Sequence, residues 1–189
     1  MQHLQLTDEQ LAIRLQSGDA EVTALIYERF KSGLFMFCVR ILSNKDAAED
    51  AVHETFVKLI VQHSQLSHPA SLKSWLYTIA RNEAFASLNR TKRIRELNDD
   101  DENIFESDDA LSMDGTEERL KIVETVLNQL LPQYKEVLLL REYESMNYEE
   151  IAHITGTTIS AVKSRLFKAR KAMMKKLEPL KKRGYDEFE

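Results

Sequence analysis

Residues 157–183 concentrate the side chains best suited to bind nucleic acid. They contain ten Lys or Arg and one acidic residue, Glu178. Apolar residues recur there at helical spacing and predict the inward face of a helix: Ile159, Val162, Leu166, Ala169 and Met173. The outward face carries small, hydroxyl, basic and aromatic side chains: Ser160, Lys163, Ser164, Phe167, Lys168 and Lys171. Such side chains contact phosphate oxygens, base edges and thymine methyl groups in the major groove of DNA.

A shorter helix precedes this one. The pattern predicts it over residues 148–155, followed by Gly156, which tolerates the left-handed backbone of a tight turn. Thr158 then stands where a helix N-cap is expected. A short helix, a glycine-containing turn and a longer basic helix are typical of a helix-turn-helix. Because a helix–glycine–helix pattern alone is common, the ten-to-one charge ratio is what favours DNA binding.

An acidic cluster lies on a helix predicted over residues 46–62. The apolar face of this helix consists of Ala48, Val52, Phe56, Leu59 and Ile60. The acidic cluster on its polar side has five members: Asp46, Glu49, Asp50, His53 and Glu54. The residues alone leave two interpretations open, a solvated helix face or a docking surface for a basic partner.

Basic and aromatic side chains share the helix predicted over residues 72–95. They are Trp75, Tyr77, Arg81, Arg90, Lys92, Arg93 and Arg95. Aromatic rings stack on unpaired bases while Lys and Arg follow the phosphates, so this combination suits single-stranded nucleic acid. The alternative is that Trp75 and Tyr77 belong to the core or its boundary.

Amphipathic helices must position both kinds of surface. Thr7 and Gln10 form a predicted capping box at the first of these helices. Such helices bury their apolar faces against one another, and we therefore predict an all-α fold. It comprises two small helical domains, residues 1–95 and residues 119–189.

The formal net charge of −5 is unevenly distributed. Residues 1–92 are neutral, residues 93–118 carry a net charge of −9, and residues 119–189 carry +4. The stretch 98–116 shows no helical or alternating apolar period, and its like charges repel one another. We therefore expect residues 96–118 to form a flexible acidic linker between the two domains.

Composition argues against several classes of protein. The single cysteine, Cys38, excludes an internal disulfide and a Cys-rich zinc site, and we expect it to be a buried small hydrophobe. The five histidines lack metal-ligand spacing, and phosphate-binding loops and nucleophile elbows are absent from the sequence. We expect no enzymatic activity, cofactor or metal. Without an apolar run of ~18 residues or a signal-peptide pattern, we expect a soluble, cytoplasmic protein.

Four sequence blocks resemble, in their order, the group-4 or extracytoplasmic-function (ECF) sigma factors of bacterial RNA polymerase. The blocks are DAAEDAVHETFVKL (46–59), SWLYTIARN (74–82), LPQYKEVLLLREYESMNYEEIAHITG (131–156) and VKSRLFKARKAM (162–173). The resemblance covers nearly all of the chain except the acidic stretch. It implies a promoter-specific initiation factor with a sigma-2-like helical bundle and a sigma-4-like helix-turn-helix domain.

The resemblance also implies the protein partners. The acidic cluster would grip the clamp coiled coil of the polymerase's largest subunit, with Asp50, His53 and Glu54 central. At position 53 the family usually has Gln, so His53 is a departure. The flap of the second-largest subunit and an anti-sigma factor are the other protein partners that the family implies.

For promoter DNA, the resemblance implies contacts from both domains. The loop over residues 61–71 and the helix over residues 75–90 would hold the melted −10 element. The −10 contacts would come from Trp75, Arg81, Asn82, Arg90, Lys92 and Arg93. The −35 contacts would come from Thr158, Ser160, Lys163, Ser164, Arg165, Phe167 and Lys168. The family often has Asp or Asn at Ala86 and a basic residue at Asn89, so the −10 sequence preference does not transfer.

One hypothesis concerns the linker, and two rivals concern the function. The linker charge motivates the hypothesis that Asp99–Asp109 lies in the basic RNA channel of the polymerase, in place of transcript phosphates. The main rival is an ordinary helix-turn-helix regulator with an N-terminal sensory bundle, which binds duplex DNA alone as a dimer. A scaffold protein that keeps the helix-turn-helix shape is a further rival, against which the basic residues argue.

Overall fold

The computed structural model describes residues 6–98 and 115–181, and the chain divides near residue 100 into two compact units. The described residues form helices and turns without a strand. The helices described in the N-terminal unit are α1 (Asp8–Gln16), α2 (Val22–Leu42), α3 (Lys45–Gln62) and α4 (Leu72–Asn98). Those described in the C-terminal unit are α5 (Gly115–Asn128), α6 (Pro132–Leu138), α7 (Tyr148–Thr155) and α8 (Ile159–Lys181). The predicted all-α fold is confirmed.

The predicted acidic linker falls mostly between the described ranges. Helix α4 continues to Asn98, past the predicted domain end at residue 95, and α5 begins at Gly115, inside the predicted linker. Residues 99–114 lie outside the described residues. The hypothesis that Asp99–Asp109 occupies the RNA channel concerns that part of the chain.

Side-chain caps fix where two helices of the N-terminal unit, α1 and α3, begin. The Thr7 N–H donates to Oε1 of Gln10 at 2.8 Å, and the Gln10 N–H donates to Oγ1 of Thr7 at 3.2 Å. The predicted capping box is thus confirmed. Oδ1 of Asn44 accepts from the N–H of Ala47 at 2.8 Å, so that α3 begins at Lys45, one residue before the predicted start.

The core of the N-terminal unit forms where α2, α3 and α4 pack together. Phe37 on α2 meets Tyr77 on α4 edge-on, with ring centroids 5.5 Å apart. Tyr77 is 1% exposed, so it is a core residue and its ring is withdrawn from any base. An ion pair between Lys58 on α3 and Glu83 on α4 joins the two helices that carry the candidate surfaces of this unit.

The core of the C-terminal unit depends on α6. Pro132 occupies the first turn of α6, where a missing N–H removes no helical hydrogen bond. The helix runs directly into a π-helical turn, Leu139–Tyr143. The buried apolar residues of α6 and this turn are Val137, Leu138, Leu139 and Leu140. Because α6 packs against α8, this apolar block is the surface that the buried face of α8 covers.

Two residues predicted to face inward are instead exposed. Ile60, in the last turn of α3, is 58% exposed, and Ile159, the first residue of α8, is 38% exposed. Both lie at the end of a helix. Helical periodicity marks which face is apolar, but it does not tell how far the neighbouring helices extend along that face.

Burial changes the acidity of one side chain in each unit. Cys38 is fully buried, and desolvation raises the pKa of its thiol to about 12. Lys135 is 4% exposed, and burial lowers the pKa of its ammonium to about 8, against the opposing effect of Glu124. The ammonium donates a hydrogen bond to Oδ1 of Asn128 at 3.0 Å.

We expect the Cys38 thiol to be inert in the folded protein. The thiolate is the nucleophile, and burial both suppresses its formation and excludes the reagent. The aromatic disulfide reagent DTNB should therefore label Cys38 at the rate at which the N-terminal unit opens, and at once in denaturing guanidinium chloride. Immediate labelling under native conditions would contradict the burial.

We expect the stability of the C-terminal unit to rise with pH between about 8 and 10.5. In that window the unfolded chain binds the Lys135 proton and the folded chain does not, so raising the pH favours the folded state. The full gain is about 3 kcal/mol. Urea denaturation across the window should show this slope, Lys135→Met should remove it, and the exposed-site control Lys175→Met should retain it. A slope that survives in Lys135→Met would refute the assignment.

Candidate nucleic-acid and protein interfaces

The helix-turn-helix is built by local capping at three points. Asn147 and Glu150 form a reciprocal capping box at the start of α7, with both N–H to side-chain oxygen distances at 2.8 Å. Gly156 has a φ of 61°, so the glycine predicted in the turn does adopt the left-handed backbone. Oγ1 of Thr158 accepts from the N–H of Ala161 at 3.2 Å, which confirms Thr158 as the N-cap of α8.

Helix α8 separates a buried face from an exposed one. The buried residues Val162, Leu166 and Ala169 are each 2% exposed or less. On the other side lies a set of exposed residues that we call the α8 strip: Ser160, Lys163, Ser164, Phe167, Lys168 and Lys171. Phe167, at 69% exposed, is the largest apolar side chain in the strip. The strip therefore offers hydroxyl, ammonium and aromatic groups together along one side of a helix.

An aromatic ring supports one lysine of the α8 strip. Nζ of Lys163 lies 5.6 Å from the ring centroid of Tyr148 on α7, and Cζ of Arg141 lies 5.1 Å from the same centroid. Arg141 also donates to the carbonyl of Met146 at 2.7 Å. These cation–π contacts hold Lys163 against the turn while its residue stays exposed. The sequence patterns do not indicate these contacts, because Arg141 lies in a π-helical turn and Tyr148 begins the next helix, so no single helical period relates them to Lys163.

Arg165 does not share the exposure of the α8 strip. Its side chain is 28% exposed, and Nη1 lies 3.5 Å from Oε1 of Glu136 on α6. The carboxylate of Glu136 is 1% exposed. Of the seven residues predicted to contact the −35 element, Arg165 is thus the one that packs toward the core of its unit.

The acidic cluster is a free surface of α3. Its five members, Asp46, Glu49, Asp50, His53 and Glu54, are exposed. Within the described part of the chain, none of them forms a side-chain hydrogen bond or ion pair. The charges of this cluster are therefore not neutralised by a neighbour among the described residues. Because the opposite side of α3 is buried, these side chains face solvent. Such a surface can attract a basic partner over a Debye length.

A shallow cleft joins the acidic cluster to α4. It encloses about 50 Å³, and its lining includes Asp50 and Glu54 from α3 with Glu83 and Arg90 from α4. Arg90 thus lies beside the acidic cluster, on the side of α4 that borders α3. Its position along α4 does not reveal this neighbour, because the cluster belongs to another helix.

The remaining predicted −10 residues occupy two faces of α4 over about 27 Å of helix. Asn82 and Arg93 are exposed and lie eleven residues apart, close to one line along the helix. Arg81 and Lys92 lie on a second line, where the Arg81 guanidinium stacks 4.6 Å from the Phe85 ring centroid. Nη1 of Arg81 also donates to Oδ1 of Asn82 at 3.4 Å.

Trp75 stands near the beginning of α4. Its side chain is half-buried, which fits the boundary position that the sequence analysis kept as an alternative. The structure therefore does not gather Trp75, Arg81 and Arg93 into one cluster. They lie along a long helix surface instead.

Groups that could hold a metal ion and helices that could cross a membrane are absent from the described ranges. Residues 6–98 and 115–181 contain no group of three or more His, Cys, Asp or Glu residues that could hold a metal ion. Within the same ranges, no helix is both long and apolar enough to cross a membrane.

Comparison with known families matches both units. The family model described as Sigma-70 region 2 matches residues 26–94, and the one described as Sigma-70, region 4 matches residues 120–173. The RNA polymerase sigma-H factor of Pseudomonas aeruginosa is 30% identical over 183 residues, covering 92% of this chain and 95% of that protein. The ECF RNA polymerase sigma-E factor of Escherichia coli is 32% identical over 190 residues, covering 95% of this chain and 98% of that protein.

Solved structures show the same architecture. The sigma factor RpoE of Bartonella quintana, in complex with the anti-sigma factor NepR, matches with a TM-score of 0.64 and 29% identity. That match covers 81% of this chain and 96% of the other. CnrH in complex with the cytosolic domain of CnrY matches in fold with a TM-score of 0.68 at 20% identity, over 91% of this chain and 97% of that one.

We expect Thr158→Ala to lower the free energy of unfolding of the C-terminal unit by about 1 kcal/mol, because it removes the oxygen that caps α8. Thr158→Ser keeps that oxygen and should retain most of the stability. Thr157→Ala is the matched control one residue away and should change the stability by less than about 0.5 kcal/mol. Equal losses at both threonines in urea denaturation would show that the cap contributes little.

Proposed function

The chain belongs to the sigma-70 family, as a sigma factor of the ECF type, and we propose that three surfaces carry out its function. As a sigma factor it binds core bacterial RNA polymerase and directs initiation at promoters through their −10 and −35 elements. The observation that carries the residue-level proposal is the charge segregation. Unpaired acids lie on α3, and exposed basic residues lie on α8 and along α4.

We propose that the acidic cluster docks on the clamp coiled coil of the largest polymerase subunit. Asp50 and Glu54 would be central, because they line the cleft beside α4 and have no partner among the described residues. His53 lies between them in sequence, where the family usually has Gln. Exposed charges of this kind mainly accelerate encounter and select the partner.

We propose that α4 and the preceding loop hold the melted −10 element. Asn82 and Arg93 offer an amide and a guanidinium on one exposed line of α4, while Arg81 and Lys92 offer positive charge on the next. A single strand that follows the helix would meet both lines. Arg90 would act differently, since it borders the acidic cluster and is positioned to orient the polymerase contact.

We propose that the α8 strip reads the −35 element in the major groove. The N-cap Thr158 presents the N-terminal end of α8, whose free N–H groups attract phosphate. Lys163, Ser164 and Lys168 follow on the exposed face and reach base edges or phosphates. Phe167 supplies an exposed ring for a thymine methyl group.

The domain organisation is proposed on the same basis. Residues 1–95 form the polymerase-docking and −10 unit, residues 119–189 form the −35 unit, and residues 96–118 link them. The hypothesis that the linker acids at Asp99–Asp109 replace transcript phosphates in the RNA channel stays a prediction. Neutralising them should change the ratio of abortive to full-length transcripts.

Regulation and location follow from the family. The Bartonella quintana relative is bound to an anti-sigma factor, and we propose that an anti-sigma factor controls this chain by covering its polymerase-binding surfaces. The protein would act in the cytoplasm, where the polymerase and promoter DNA are. It supplies recognition, and the chemistry of RNA synthesis belongs to the polymerase, so we propose that it is not itself an enzyme.

Reconstitution tests the proposed function. The chain is combined with core RNA polymerase, and run-off transcripts are mapped on fragments of the source genome. Start sites that depend on the chain and share two upstream elements are expected. Transcription that is unchanged by the chain, or strong dimeric binding to duplex DNA alone, would support the rival regulator.

We expect Asp50→Asn combined with Glu54→Gln to weaken binding to core polymerase by about tenfold, because two unpaired charges leave the docking surface. The loss should shrink at high salt, which screens exposed charges. Glu9→Gln, at an exposed position of α1, is the control for a general change in charge and should leave the affinity within about twofold. Equal losses from the control would reject α3 as the docking surface.

A further inference from the structure

Arg165 lies between the two faces of α8. At about 100° of turn per residue, it is about 130° from the centre of the α8 strip and about 70° from the centre of the buried face. Its side chain is 28% exposed, whereas its neighbours Lys163, Ser164 and Lys168 are fully on the exposed side. Its direction therefore differs from that of the residues proposed to touch DNA.

The partner of Arg165 is a carboxylate almost fully removed from water. Glu136 is 1% exposed, and one of its oxygens lies 3.5 Å from Nη1 of Arg165. A buried carboxylate is costly unless a cation or hydrogen-bond donors compensate it. Removing the guanidinium would take one compensating group away from this carboxylate, so the two residues are coupled.

We propose that Arg165 is a positioning residue that sets the rotation of α8 on α6 through Glu136, and that it does not contact promoter DNA. This inference rests on the proposed reading of the −35 element by the α8 strip. The apolar contact of Val162, Leu166 and Ala169 is non-directional and holds α8 on the core. The ion pair of Arg165 with Glu136 instead joins α8 to one point on α6, so it favours one rotation of the helix.

The rotation of α8 matters because a base-reading residue depends on it. Lys163 is two residues from Arg165 and rests 5.6 Å from the Tyr148 ring centroid. A roll of α8 would move the Lys163 ammonium off that ring and misalign the base-reading side chains of the α8 strip with the base edges, while lysines can still reach the phosphates. Arg165 thus controls the direction of the strip from the opposite side of the helix.

Salt dependence distinguishes positioning from a phosphate contact. Each phosphate contact contributes about 0.9 to the slope of log binding constant against log salt concentration. Promoter binding by the holoenzyme is measured across a salt series for the wild type, Arg165→Gln, Glu136→Gln and Lys168→Gln. Lys168→Gln reports a residue of the exposed strip, and its slope should fall by about 0.9.

For a positioning pair, Arg165→Gln and Glu136→Gln should each weaken binding to the −35 element by about tenfold with the wild-type salt slope. The double variant should lose no more than either single one, because both changes break the same contact. A loss of affinity in Glu136→Gln is diagnostic, because removing a negative charge near DNA would by itself strengthen binding.

The proposal would be overturned if the salt slope of Arg165→Gln falls as that of Lys168→Gln does. It would also be overturned if Glu136→Gln binds the promoter as tightly as the wild type. If the single variants fail to fold, as judged by circular dichroism, Glu136→Met with Arg165→Met replaces the pair by apolar side chains that such sites tolerate. Positioning predicts that this double variant keeps the wild-type slope. If the wild type and Lys168→Gln both bind DNA without any dependence on the promoter sequence, the proposed function itself is rejected.

Discussion

Packing of α8 against α6 decides which side chains of the recognition helix face outward. Val162, Leu166 and Ala169 must leave water, and α6 offers the apolar surface that receives them. Once that face is buried, the geometry of a helix carries the α8 strip to the other side. The cap at Thr158 and the left-handed Gly156 determine where the helix starts, and the ion pair of Arg165 with Glu136 joins the helix to the core beneath it.

Burial of one helix face also determines the exposed face in the N-terminal unit, where the exposed side chains are acidic. Helix α3 buries its apolar side against α2 and α4, and the acidic cluster is left on the surface without partners among the described residues. The net charge of −5 for the chain hides this segregation. The first half is neutral, the middle is acidic and the end is basic, so the local field changes sign along the chain.

Local features of the sequence predict much of this architecture. Helix positions follow from apolar periodicity, and the caps at Thr7 and Thr158 follow from residue type and spacing. Gly156 is predictable because few other residues adopt its φ of 61°. These features are predictable because each depends on residues within a few positions of one another.

Local sequence patterns do not predict contacts between residues that are far apart along the chain. Arg165 and Glu136 are 29 residues apart, and their meeting depends on how α6 and α8 pack. Arg90 borders the acidic cluster across the cleft between α3 and α4, which no pattern along α4 indicates. Tyr77 is buried against Phe37 for the same reason, since composition alone cannot separate a stacking aromatic from a core one.

We propose that recognition of the promoter requires both units, the N-terminal one on the polymerase and the −10 element and the C-terminal one on the −35 element. The most direct measurement is the affinity of the full chain for promoter DNA with and without core RNA polymerase. The account predicts sequence-specific binding that depends on the core enzyme, with a monomeric free chain. Tight, sequence-specific binding of a dimer to duplex DNA in the absence of polymerase would contradict it.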